Sequence, residues 1–145
     1  MLYEDFTVGM KFRSRDMVVS LEDVIAFAKA FDPQPFHTDP EAAKATFFKE
    51  HVASGWHTSA VTMRLITESL PVAGGIVGAG VDELRWPTAL RPGDTIHLES
   101  EVVEMRTFKS RTDTGLVKFL VKTVAQDGRV VQSMMPNVFV PRAAA

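Results

Sequence analysis

The chain has 145 residues, a length that suits one domain with a full hydrophobic core. Hydrophobic residues make up 46% and charged residues 23%, the balance of an ordinary soluble globular protein. A net charge of −2 with no run of Lys or Arg argues against nucleic acid as a partner, and the absence of cysteine removes disulfides, thiolate nucleophiles, zinc–thiolate sites and iron–sulfur clusters.

The first residues, Met1-Leu2-Tyr3-Glu4-Asp5-Phe6, are acidic and lack the basic-then-apolar pattern of a signal peptide. No stretch approaches the length of a membrane span, so a cytoplasmic protein with no membrane partner is expected. After a turn at Val8-Gly9-Met10, Lys11 to Val19 alternates as a strand. Ser20 then caps a helix whose first turn carries Glu22 and Asp23, where the helix dipole favours acids. Val24, Ile25, Phe27, Ala28 and Phe31 supply its apolar stripe, and Pro33 ends it.

The stretch Phe31 to Pro40 is the chemical candidate. It sets three prolines, Asp32 and His37 within ten residues. Proline fixes its own φ and pushes the preceding residue out of the helical region. Asp32, Gln34 and Asp39 each precede a proline, which predicts an extended, stiff backbone holding the carboxylate and the imidazole at a fixed separation. The bland alternatives are a helix-terminal turn residue for Asp32 and, for His37, a buried imidazole satisfied by a backbone carbonyl.

Thr38-Asp39-Pro40-Glu41 predicts a short helix from about Pro40 to Phe48. Ser54-Gly55 opens the most apolar helix, Trp56 to Leu70, closed by Pro71 and apolar on most sides, with Arg64 and Glu68 as its polar pair. Such a helix must be wrapped, and the second half supplies strands at Gly78–Trp86, Thr95–Met105, Gly115–Ala125 and Arg129–Val140. Asp127-Gly128 makes a hairpin turn and Arg91-Pro92-Gly93-Asp94 another turn. The expected fold class is α+β, an antiparallel sheet curled round a helix, with Pro141 to Ala145 as a frayed tail.

Other features carry less. His51 and His57 near His37 invite a metal reading, but one lies before the helix and the other inside it, without ligand spacing. The glycines at positions 74, 75, 78 and 80 lack the Gly-x-Gly-x-x-Gly order and precede a strand, so they read as a flexible loop.

Three motifs now stand in order: Asp32-Pro33-Gln34-Pro35-Phe36-His37, Ala53-Ser54-Gly55-Trp56-His57 and Leu90-Arg91-Pro92-Gly93-Asp94. Together they resemble the MaoC-like dehydratases, the (R)-specific enoyl-CoA hydratase group of the hot-dog fold, over nearly the whole chain (1–145, one domain). The resemblance implies a homodimer, or a higher assembly of dimers, that binds acyl-CoA thioesters near the subunit interface. It implies that Asp32 and His37 activate a water that adds to a trans-2-enoyl thioester, while the Gly55 N–H binds the thioester oxygen. Ser54, Trp56, Phe36 and Arg91 are the expected substrate contacts. The chain departs from the family pattern at Phe31, where a glycine is frequent, at Gln34 in place of asparagine, and near Thr62–Met63, where hydratases carry an assisting serine.

The chemistry is consistent with the residues. Hydration needs a base for water, a proton for C2 and a donor for the enolate oxygen, and no metal or organic cofactor. Unpaired N–H groups at a helix N-terminus suit that oxygen, and glycine lets a ligand approach them. Two readings compete: a hot-dog thioesterase using Glu68 on the central helix, and a module that binds acyl thioesters without turnover.

Overall fold

The computed structural model describes residues 1–144. In chain order it contains β1 (Lys11–Arg13), β2 (Met17–Val18), α1 (Leu21–Phe31), α2 (Pro35–Thr38), α3 (Pro40–Ala43), α4 (Gly55–Ser69), β3 (Val77–Arg85), β4 (Thr95–Thr107), β5 (Thr114–Ala125) and β6 (Val130–Pro141). The strands form one antiparallel sheet in the order β1-β4-β5-β6-β3, with β2 also on β4. The fold is α+β: a hot-dog domain, the long α4 lying in a curved antiparallel sheet.

Alternation makes the sheet one-sided. On β4, Ile96, Leu98, Ser100 and Val102 point inward, and on β5 Val117, Phe119, Val121 and Thr123 do the same. Phe119 is fully buried and meets Phe6 edge-to-face at 5.9 Å. Helix α4 answers with Thr58, Val61, Thr62, Leu65 and Ile66, the i, i+3, i+4, i+7, i+8 stripe of a half-buried helix. Each fully buried Leu or Phe in this interface contributes about 1.5–3 kcal/mol. The expectation of a helix apolar and covered on most sides is thus corrected. One stripe is buried, two of its members are threonines, and Trp56 and Met63 face outward. Thr62 and Thr123 pair their hydroxyls at 2.6 Å, whereas the inward-facing Ser100 Oγ is buried without a partner.

Several element boundaries differ from expectation for local reasons. The strand expected from Lys11 to Val19 is split at Ser14, whose Oγ accepts the Leu98 N–H at 2.7 Å and so replaces a ladder bond. The helix expected to reach Phe48 stops at Ala43, and Thr46 bonds its hydroxyl back to the Ala43 carbonyl at 2.6 Å. The tail is not frayed through Ala143. Arg142 Nε and the Ala143 N–H both bind Glu4, at 2.9 and 3.0 Å, while Ala145 lies outside the described residues.

One topological fact positions the site. β3 pairs with β6, not with its sequence neighbour β4, so the chain from Trp86 to Asp94 must cross between two places in the sheet. On the way it passes the start of α4, where the Ala53 N–H donates to the Leu90 carbonyl at 2.8 Å.

Candidate active site

Asp32 stands at the C-terminal cap of α1, its N–H on the Ala28 carbonyl at 2.8 Å. The N-cap was correctly legible: Ser20 Oγ accepts from the Asp23 N–H at 3.1 Å. The stretch that follows is not extended throughout. Gln34 and Asp39, each before a proline, are extended, but Pro35–Thr38 between them closes a helical turn, and His37 sits in it. Proline at the first helical position favours this, because its missing N–H costs nothing there.

His37 is buried and held from two sides by the strand-like segment that leads into α4. Its Nδ1 lies 2.8 Å from the Val52 carbonyl oxygen, which can only accept, so Nδ1 carries the proton and Nε2 is left for chemistry. The Val52 N–H donates to the Phe36 carbonyl at 3.0 Å, and His51 Nε2 donates to the His37 carbonyl at 2.6 Å. The carbonyl-satisfied reading of His37 therefore holds for Nδ1, and Nε2 stays outside that bond. Nε2 lies 3.3 Å from Asp32 Oδ2.

The third part is the start of α4. Ser54, fully buried at its N-cap, donates its hydroxyl to Asp32 Oδ2 at 2.7 Å and accepts the Trp56 N–H at 3.2 Å. The serine expected to touch substrate is committed to the aspartate instead. Asp32 Oδ1 is taken by Gln34 Nε2 at 2.5 Å. Burial raises the Asp32 pKa, but hydrogen bonds from Ser54 and Gln34 and the His37 ring outweigh it, leaving the carboxyl below its ordinary value. Asp32 is therefore an oriented carboxylate at neutral pH. Gln34, a departure from the family pattern, is one of the groups that hold it. The i,i+2 spacing of Asp32 and Gln34 across Pro33 was the signal for this contact.

Gly55 begins α4, so its N–H has no intrahelical partner. A cleft of about 370 Å³ opens here. Phe47, Phe48, Val52, Trp86, Leu90 and Val131 make it mainly apolar, and His37, Gly55 and Thr58 reach it from the polar side. Neither Asp32 nor Ser54 is in its wall, and Asp32 meets it through His37. The structure thus brings Asp32, His37, Ser54 and Gly55 together. It leaves the other expected contacts outside the cleft. Phe36 packs edge-on against His37 at 4.6 Å, Trp56 is exposed against Trp86, and Arg91 pairs with Glu50 at 2.5 Å. Trp86, which with Pro87 and Arg91 reads from the sequence as a candidate contact for the CoA portion, lines the cleft instead, and Gln132 behind it was missed because it lies near no motif in sequence.

Two other predicted features resolve here. His57 stacks flat on Phe27 at 4.7 Å with its Nδ1 buried and unpartnered, far in role from His51 on the His37 carbonyl. Burial lowers the His57 pKa against the opposing pull of Asp23. Glu68 is gripped by Arg15 at 2.7 Å and Arg64 at 2.6 Å, and these two guanidiniums hold its carboxyl down to about 2.

A hot-dog domain carrying a carboxylate–imidazole pair beside the free N-terminus of its central helix is the class that fold and site define. The chain belongs to the MaoC-like domain family, whose model matches residues 5–125. It is similar to a solved MaoC-like dehydratase from Rhodospirillum rubrum, 46% identical with a TM-score of 0.96 over 100% of this chain and 99% of that one. It is also similar to the R-hydratase PhaJ1 of Pseudomonas aeruginosa, 26% identical with a TM-score of 0.79 over 98% and 86% of the two chains. The uncharacterized protein YdeM of Bacillus subtilis is 30% identical over 127 residues, 87% of this chain and 89% of that protein.

Proposed function

We propose that this protein is a hydratase or dehydratase that interconverts a trans-2-enoyl-CoA and an (R)-3-hydroxyacyl-CoA. The observation that carries the reading is the contact of His37 Nε2 with Asp32 Oδ2 at 3.3 Å, both oriented by other bonds, next to the unpaired Gly55 N–H. Membership of the MaoC-like family and likeness to an R-hydratase support it.

In the forward direction Asp32 accepts a proton from water as the water oxygen bonds to C3. The electron pair of the C2–C3 double bond moves onto the thioester oxygen, where the Gly55 N–H meets the developing charge. His37, with Nδ1 fixed on Val52, holds the water through Nε2; the proton taken up by Asp32 crosses the 3.3 Å contact to Nε2, and the imidazolium so formed gives it to C2 as the enolate collapses. General acid–base assistance of this kind is worth about 10²–10⁴-fold.

The protein acts as a homodimer in the cytoplasm in this reading. Phe31, Phe47 and Trp56 are exposed around the site, and Val77 and Val81 along the edge strand β3, apolar surface of the kind a second subunit covers. No helix of the described residues is long and apolar enough to cross a membrane.

The test follows loss of the conjugated double bond of crotonyl-CoA and a longer trans-2-enoyl-CoA, with a thiol reagent in parallel. Asp32→Asn and His37→Ala should each lower turnover by about 10²–10⁴-fold without release of thiol. Glu68→Gln should leave turnover unchanged, because its carboxylate is spent on two arginines. Thiol release insensitive to Asp32 and His37 would overturn the proposal in favour of a thioesterase. Binding without turnover would leave a thioester-binding module.

A further inference from the structure

The segment that leaves β3 has no regular structure, yet it is pinned at successive residues. Trp86 Nε1–H donates to Gln132 Oε1 at 2.9 Å, Thr88 Oγ1 donates to the Val130 carbonyl at 2.8 Å, and Arg129 Nη1 donates to the Ala89 carbonyl at 2.8 Å. Pro87 restricts the Trp86 backbone as well. Gln132 is fully buried on β6, where an amide is costly unless its atoms are paired. Its oxygen accepts a second bond, from Ser59 Oγ on α4 at 2.6 Å, and its Nε2 faces Met134 Sδ at 3.6 Å. The indole is therefore located jointly by α4, β6 and its own loop.

The ring lies on Gly55. A Cβ at that position would fall 2.7 Å from Trp86 Cδ2 and Cε2 and 2.9 Å from Cζ2, closer than carbon atoms tolerate. The same ring is part of the cleft wall and meets Trp56 edge-to-face at 5.1 Å. Any acyl group whose carbonyl is held at the Gly55 N–H must run past this indole.

We infer that Trp86 is the specificity-determining wall of the site and Gln132 the residue that positions it, so that the protein selects thioesters of short acyl groups. The inference rests on the thioester reading above and adds the chain-length class to it. Cleft size agrees, since about 370 Å³ is near the lower end for small-molecule sites, roughly 300–1,000 Å³. A rigid indole rejects added methylenes by steric exclusion. Were Gln132 unable to accept, the ring would be free to swing and the limit would blur.

The experiment uses the full chain and compares kcat/KM for crotonyl-CoA and trans-2-dodecenoyl-CoA in wild type, Trp86→Ala, Trp86→Phe and Gln132→Leu. Binding of the saturated butyryl- and dodecanoyl-CoA is measured by titration calorimetry in parallel. Trp86→Ala should raise the long-to-short ratio at least ~10-fold, mainly through KM, since each methylene admitted to an apolar pocket is worth about 10–200-fold. Trp86→Phe should raise it less. Gln132→Leu should raise it in the same direction and red-shift the tryptophan emission, an effect that a merely structural glutamine would not give. An unchanged ratio in folded Trp86→Ala, or in Gln132→Leu should the alanine variant not fold, overturns the inference while leaving the hydratase reading intact. Binding without turnover defeats the hydratase reading, and the ratio of dissociation constants then decides the wall by the same criterion. Absence of both binding and turnover in wild type overturns the two together.

Discussion

Ser54→Ala tests the joint between the helix end and the carboxylate. The hydroxyl makes two bonds in opposite roles, donating to Asp32 Oδ2 at 2.7 Å and accepting from the Trp56 N–H at 3.2 Å. Loss of an N-cap acceptor costs about 1 kcal/mol. Loss of a hydrogen bond to a charged group costs about 1.5–3 kcal/mol more. The variant should therefore be destabilised by about 2.5–4 kcal/mol, read as a lower urea midpoint at unchanged slope by circular dichroism. In an Asp32→Ala background the carboxylate is gone, and the same substitution should cost only the cap, about 1 kcal/mol. The hydroxyl is also a cause of the lowered Asp32 pKa, opposing burial, so its removal should move the acid limb of the pH–rate profile upward. Equal costs in the two backgrounds, or an acid limb that does not move, would refute the coupling of Ser54 to Asp32.

Gly55→Ala should destabilise by about 1–3 kcal/mol through overpacking on Trp86, although alanine is intrinsically the better helix residue, and the cost should largely vanish in a Trp86→Ala background. A stabilised Gly55→Ala in the wild-type background would contradict the contact. His57 supplies a pH signature. Burial depresses its folded pKa below the ordinary 6.5, so the unfolded chain binds more protons as pH falls below that value, and stability should drop there. His57→Phe keeps the stack on Phe27 and removes the titration, so its stability should fall less steeply than wild type from neutral to mildly acid pH. Parallel curves would count against that assignment.

The pieces legible in the sequence were those whose cause is local. Ser20 and Asp39 cap the helices they precede, because a short polar side chain reaches N–H groups only two or three residues on. Pro33 stops α1 and leaves Asp32 at its edge, and the apolar alternation of β4 and β5 fixes which face is inward. The errors were local as well as distant. Proline was read as enforcing extension through His37, whereas Pro35 at a first helical position starts a turn. The α4 pattern looked apolar all round because composition does not say which threonines find partners in the core.

The sequence by itself determined that an acid and an imidazole stand at fixed places near the start of a long helix, and that a curved antiparallel sheet would receive that helix. Only the tertiary structure decided what those groups do to each other. Ser54 reaches Asp32 across 22 residues, Val52 fixes the His37 tautomer across 15, and Gln132 holds Trp86 across 46. Such bonds depend on where the chain returns, and the pairing of β3 with β6 governs that return by carrying the Trp86 loop past Gly55. Caps and turns are short-range energies that a sequence displays directly. The protonation of a ring nitrogen, the depression of a carboxyl and the wall of a cleft arise from contacts that exist only once the sheet has closed round the helix.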